Sequence, residues 1–214
     1  MNLIYFILFS VLTFMSLLLG YKKYHSTTLY ALAIGGIVNS LFYHGGTHPI
    51  EIFGIPFGID SIIYTLFIFC VFVMYIKEGS KNAFTLAASS IIAIMISNIF
   101  QLIANLLAYG SQTNYWLIFL LFTISSIASL IAVLVMIKFL NKFNNRYNLY
   151  LLLVCSILIC SIIYSVIYYS LAVLIMGEPT NLIGLLIGSV IGKTIALLTS
   201  LFVLFIIRKL EEKK

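Results

Sequence analysis

The chain has 214 residues, of which 63% are hydrophobic and 8% charged, and its formal net charge is +6. Soluble domains carry about a quarter charged residues, so this composition excludes a soluble globular protein. It predicts instead an integral membrane protein, with a single polytopic transmembrane domain over 1–214 and no soluble domain.

Apolar runs recur along the whole chain. A helix needs about 17 to 25 mainly apolar residues to cross the hydrocarbon core of a bilayer. We therefore predict an all-α helical bundle of about seven spans, at 2–20, 28–43, 59–76, 84–109, 116–137, 149–176 and 183–207. The second run is short and contains Gly35 and Gly36, so six spans plus a tilted or re-entrant piece is the alternative.

The basic residues alternate between connections. Every Lys and Arg except Lys193 falls after spans one, three and five or in the C-terminal tail, whereas the connections at about 44–58, 110–115 and 177–182 contain none. The positive-inside rule then predicts an outside N-terminus and a cytoplasmic C-terminus. The basic residues on one side of the membrane account for the positive net charge, so we do not expect the protein to bind nucleic acid. We expect a multi-pass protein of a prokaryotic cell membrane.

Lys193 is the exception, within the stretch "GSVIGKTIALL" near the middle of the last span. A charged residue at the bilayer centre costs at least about 2.5 kcal/mol, so it usually faces a partner or a water-filled cavity. Helical spacing places Ser189, Ala196 and Ser200 on its face. Lys193 is therefore either a structural lysine or part of a ligand site. The same span carries glycines at a spacing typical of close helix packing: Gly184, Gly188 and Gly192.

Amide side chains line one face of span four. Asn98, Gln101 and Asn105 are spaced by three and four residues, and each amide both donates and accepts hydrogen bonds. They suit the polar edge of a heterocyclic ligand, or they bond neighbouring helices to one another. Asn39 in span two and Tyr164 in span six add to this polar set. Tyr164 belongs to a stripe with Ser161, Ser165 and Tyr168. We expect a site approached from outside.

Two acidic residues, Glu51 and Asp60, flank the outer entrance of span three. Asp60 either caps the helix or contacts a substrate or proton. His44 and His48 lie in the same outer loop, but their spacing is weak evidence for a metal site. We predict no metal and no cofactor.

Motifs of ATP hydrolysis and common catalytic motifs are missing from the sequence. It has no Walker-type glycine loop, no H-E-x-x-H and no G-x-S-x-G. We therefore do not expect an enzyme. Transport by this chain would use an ion gradient, a substrate gradient or a partner ATPase.

Residues 29–83 contain a "LYAL" start, an "EIFG" turn and a basic segment after span three, and residues 192–210 contain the stretch "GKTIALL". These two blocks resemble the VUT-type family of queuosine-precursor transporters, and the second block is similar to that family's closing helix. The resemblance implies a transporter in which Lys193 matches the family lysine and Glu51 lies in the turn. Thr199 stands where the family commonly has an aspartate.

Together the residues and the resemblance predict an importer of a small organic solute, most specifically a queuosine precursor or related purine-like base. The expected substrate-binding residues are Lys193, Asn98, Gln101, Asn105, Asn39, Glu51, Asp60 and Tyr164. One alternative is the substrate-binding subunit of a vitamin importer energised by a partner ATPase. Another is a non-transporting membrane sensor or immunity protein. The expected partners are the lipid bilayer, a small-molecule ligand, and either further copies of the chain or a partner ATPase.

Overall fold

The protein is a bundle of seven helices with one short hairpin. The computed structural model describes residues 2–44, 50–52, 55–57, 60–109, 113–144, 147–176 and 182–212. The elements are α1 (Asn2–Tyr24), α2 (Ser26–His44), β1 (Ile50–Ile52), β2 (Ile55–Phe57), α3 (Asp60–Glu78), α4 (Ser80–Tyr109), α5 (Thr113–Phe143), α6 (Leu149–Met176) and α7 (Leu182–Glu211). This confirms the predicted all-α class.

Six of the helices, α1 and α3 to α7, are long and apolar enough to cross a bilayer. The second predicted span is also helical, as α2, but α2 is not among these six over the residues described. Large apolar side chains are exposed around the bundle, including Phe100 at 68% and Leu107 at 83%. Such an apolar exterior suits lipid rather than water, and the chain is a multi-span membrane protein.

The turns at the ends of α1 and α3 are tighter than the sequence indicates. Lys22 and Lys23 were predicted to lie in a connection, but they form the last turn of α1, and His25 alone separates α1 from α2. This prediction was wrong because cations at a helix C-terminus interact favourably with the helix dipole, so the helix continues through them. Gly79, at φ 88°, makes the corresponding turn between α3 and α4.

Residues 50–52 and 55–57 pair as two short antiparallel strands, in a segment that the sequence predicted as a loop rich in Gly and Pro. Strand β1 pairs with β2, and Glu51 lies opposite Pro56. The hairpin packs against the bundle, β1 against α1 and β2 against α7. It therefore lies against α1 and α7 rather than standing away from the helices.

Helix α3 is the centre of the bundle. It packs against α2, α4, α6 and α7, and 78% of its membrane-spanning segment is buried inside the protein. Phe67, Phe69 and Phe72 are among its fully buried side chains. The other spanning segments are 28% to 44% buried, so they form an outer layer with one face toward lipid.

The basic helix ends meet at one end of the bundle. Lys77 of α3 forms an ion pair with Glu211 of α7, and the hydroxyl of Tyr21 in α1 donates to Glu211 Oε1 at 3.0 Å. Tyr75 of α3 donates to Asn141 Oδ1 of α5 at 2.8 Å. We call this the basic end, and the opposite end, where α3 begins, the far end. The clustering agrees with the alternation of basic connections, whereas the outside N-terminus stays a prediction.

Candidate functional site: a buried lysine between tyrosine rings

Lys193 is buried in the interior of the bundle, with 2% of its surface exposed. It lies on α7, about 27 Å from Glu211 at a rise of 1.5 Å per residue, in the half nearer the far end. Ser189, Ala196 and Ser200 are also buried, as expected from their helical spacing with Lys193. The polar face of α7 therefore points into the protein. This agrees with the high free-energy cost of exposing a lysine side chain to lipid.

Lys193 contacts a hydroxyl and two aromatic rings. Its Nζ donates to Ser165 Oγ at 3.1 Å, and Ser165 Oγ lies 3.4 Å from Ser189 Oγ. The same Nζ lies 4.6 Å from the ring centroid of Tyr164 and 4.9 Å from that of Tyr64. Both distances fall within the range of a cation–π interaction. We call these five residues, Lys193, Ser165, Ser189, Tyr64 and Tyr164, the Lys193 cluster.

Tyrosine rings form an aromatic layer beside the lysine. The rings of Tyr64 and Tyr164 lie 4.5 Å apart, and Tyr164 stacks on Tyr168 with an interplanar angle of 8°. The Tyr164 hydroxyl lies 2.9 Å from Ser125 Oγ, and the Tyr64 hydroxyl donates to the Cys160 carbonyl at 3.3 Å. These contacts join α3, α5, α6 and α7 at a single level.

A small recess lies next to Lys193 between α6 and α7. Its volume is about 40 Å³, and its polar wall is formed by Ser161, Lys193 and Thr194. Ser161 Oγ is buried without a hydrogen-bond partner in the described part of the chain. The other lining side chains are aliphatic, and a recess of this size is too small for a heterocyclic base.

The predicted amides lie on a different helix from the lysine. Asn98, Gln101 and Asn105 are on α4, which packs against α2, α3 and α5, whereas α7 packs against α1, α3, α6 and β2. Helices α4 and α7 are therefore not among each other's main packing neighbours in the described part of the chain. Asn98 is 3% exposed, and both of its amide atoms are buried without a hydrogen-bond partner within the same part of the structure.

Three further predicted residues have side chains outside the described part. Asn39 is in α2, Glu51 is in β1, and Asp60 is the first residue of α3, one helical turn before Tyr64. Their roles stay predictions. The suggested His44, His48 and Glu51 metal site also lies mostly outside the described residues, within which no group of three His, Cys, Asp or Glu side chains could hold a metal.

Two residues of the site were not expected from sequence. Tyr64 lies four positions after Asp60, a spacing that could have associated it with the entrance of span three. Ser125, in the middle of α5, has no distinguishing local signal. The hydroxyl oxygen of Thr199 lies 2.8 Å from that of Ser10 and so joins α7 to α1.

The fold and the buried cation define a polytopic helical membrane protein with a polar, aromatic centre between α3, α5, α6 and α7. No protein-family model matches the chain, and neither the curated proteins nor the solved structures give a match.

Proposed function

We propose that the protein imports a small, planar organic solute, and that the solute is a purine-like base of the queuosine-precursor class. The observation that carries this proposal is the burial of Lys193 between two tyrosine rings in the interior of a multi-span membrane protein. Ionisable residues within membrane spans are expensive to keep and usually serve a substrate or ion pathway.

The chemistry of the cluster matches such a ligand. Tyr64 and Tyr164 offer ring faces on which a planar heterocycle stacks, and the ammonium group of Lys193 donates hydrogen bonds to a carbonyl or ring nitrogen. Ser165 and Ser189 supply short hydroxyls that both donate and accept. A cation beside stacked rings therefore favours a flat ligand with hydrogen-bond acceptors over an inorganic cation.

The amides of α4 supply the second part of the proposed site. Asn98 is buried with an unsatisfied amide, which costs free energy unless a ligand or water completes its hydrogen bonds. Because α3 packs against both α4 and α7, a change in the position of α3 would alter the space on both of its sides. A ligand that contacts both Asn98 and Lys193, as the sequence analysis expected, would therefore require α3 to move.

Binding requires the site to open. The recess beside Lys193 is too small for a base, so a base must displace the Tyr64 and Tyr164 rings or part α6 from α7. Substrate sites near the membrane midplane that open alternately to each side are the usual arrangement in secondary transporters. The ion pair of Lys77 with Glu211 and the Tyr21 hydrogen bond hold α1, α3 and α7 together at the basic end.

Uptake in cells tests the proposal. Labelled queuosine precursors would be supplied to cells that cannot synthesise them and that express the wild type, Lys193→Ala or Lys209→Gln. We expect uptake by the wild type and by the Lys209→Gln control, and loss of uptake in Lys193→Ala at equal membrane abundance. Uptake that does not depend on expression of the wild-type chain would refute the substrate assignment.

A further inference from the structure

A cleft opens at the basic end of the bundle, between α3, the start of α6 and the end of α7. Its volume is about 530 Å³, within the range of small-molecule sites in proteins. It is lined by Phe72, Val73, Ile76, Lys77, Asn148, Leu149, Leu204, Ile207, Arg208 and Glu211. It lies well away from Lys193, because α7 rises about 16 Å between Leu204 and Lys193.

The wall of the cleft nearest the protein interior is apolar. Phe72 and Val73 of α3 and Leu204 and Ile207 of α7 are buried side chains of the core, and Leu149 of α6 is half-buried beside them. These residues belong to membrane-spanning segments, so this wall continues from the helix ends toward hydrocarbon depth. An aliphatic chain can lie against such a surface without burying a polar group.

The rim of the cleft carries two basic residues, Lys77 and Arg208, and one acidic residue, Glu211. Lys77 and Arg208 are both exposed there, and each has an acidic neighbour: Lys77 pairs with Glu211, and Arg208 Nε lies 3.3 Å from Glu212 Oε1. An ammonium group has three donors and a guanidinium has five, so each can bind an anion in addition to its carboxylate.

The first turn of α6 adds to this rim. Asn148 Oδ1 accepts a hydrogen bond from the Tyr150 amide at 3.0 Å and so caps the helix. The amide groups at a helix N-terminus carry a partial positive charge, and here they lie beside the two cations.

We propose that the cleft binds one anionic phospholipid, with its phosphate at Lys77 and Arg208 and an acyl chain along the Phe72, Leu149 and Leu204 wall. A basic rim at the headgroup level above an apolar wall at hydrocarbon depth complements such a lipid in both charge and position. The inference is independent of the proposed transport function, since it uses none of the residues of the Lys193 cluster.

Lipid retention by the purified full-length chain tests this inference. Native mass spectrometry would follow titration with phosphatidylglycerol or phosphatidylcholine of identical acyl chains. We expect preferential retention of phosphatidylglycerol, and a loss of about fivefold in its apparent affinity in Arg208→Gln, as expected for one basic residue at an anionic headgroup. Lys209→Gln is the matched control. Lys209 is the residue after Arg208 and is also exposed, but it does not line the cleft.

A second variant examines the apolar wall without changing charge. Leu149→Trp fills part of the cleft and should weaken retention of phosphatidylglycerol while both cations remain. Equal retention of the two lipids by the wild type would overturn the proposal, and so would equal losses in Arg208→Gln and Lys209→Gln. Failure of the wild type to retain either lipid would also overturn the proposal. A helix of another protein would then be the remaining candidate occupant of the cleft.

Discussion

The ammonium group of Lys193 donates a hydrogen bond to Ser165 Oγ at 3.1 Å and thereby joins α7 to α6 in the interior of the bundle. Ser165 is itself buried, so removal of its hydroxyl would take away a hydrogen bond to a cation where water cannot readily replace it. The stability of the bundle should therefore depend on this serine.

We expect Ser165→Ala to lower the free energy of unfolding by about 1.5–3 kcal/mol, the usual contribution of a hydrogen bond to a charged group. Thermal unfolding in detergent would measure the change. Ser161→Ala is the matched control, because Ser161 lies one helical turn away and its buried hydroxyl has no partner in the described structure. Equal destabilisation by the two substitutions would contradict a specific role for the Lys193–Ser165 hydrogen bond.

The ring of Tyr164 should matter more than its hydroxyl for ligand binding. Tyr164→Phe keeps the aromatic face near Lys193 and loses the contact with Ser125, whereas Tyr164→Leu removes the cation–π interaction. We expect Tyr164→Leu to weaken binding of a planar base by about two- to thirtyfold, corresponding to about 0.5–2 kcal/mol. Titration of the purified variants would show this order, and a larger loss in Tyr164→Phe would count against stacking.

The close contact of α1 with α2 makes Gly20 sensitive to substitution. A Cβ added at Gly20 would lie 2.6 Å from Cγ2 of Thr28, whose β-branched side chain has little rotamer freedom. We expect Gly20→Ala to destabilise the protein by about 1–3 kcal/mol through overpacking. Gly35→Ala in α2 is the control, because nothing lies within 4 Å of its added Cβ. A stability loss confined to Gly35→Ala would contradict this packing.

The central position of α3 predicts a contrast between two phenylalanines. Phe69 is fully buried in α3, whereas Phe100 of α4 is 68% exposed on the outer surface of the bundle. Phe69→Ala leaves a cavity that should cost about 3–5 kcal/mol, while Phe100→Ala exchanges contacts with lipid and should cost far less. The free energy of unfolding of both variants would be measured in detergent. Equal losses in Phe69→Ala and Phe100→Ala would contradict the central position of α3.

Much of the fold follows from local sequence pattern. The apolar runs predict the helices because each span must satisfy its own backbone hydrogen bonds in lipid. The alternation of basic residues predicts that the ends of α1, α3, α5 and α7 share one side, and the contacts of Glu211 with Tyr21 and Lys77 agree with it. The hairpin was missed because its two strands are three residues long and interrupted by Gly and Pro.

The site was only partly predictable, for a physical reason. Lys193 is identifiable because a charge within a span is costly, and Tyr164 because it lies on a polar stripe. Tyr64 and Ser125 join them through contacts between helices, and helical periodicity indicates which residues share a face but not which faces meet. The same limit applies to Asn98. Its burial agrees with the predicted polar face of α4, but its separation from Lys193 depends on which helices pack against one another.

The most direct test of the account is transport by the purified chain alone. Proteoliposomes containing the wild type, Lys193→Met or the control Lys209→Met would be given a labelled queuosine-precursor base, without any ATPase present. The account predicts uptake into wild-type and Lys209→Met vesicles and none above protein-free vesicles for Lys193→Met. Correctly inserted wild type that carries no base, or Lys193→Met that carries it at the wild-type rate, would contradict the proposed role of the buried lysine.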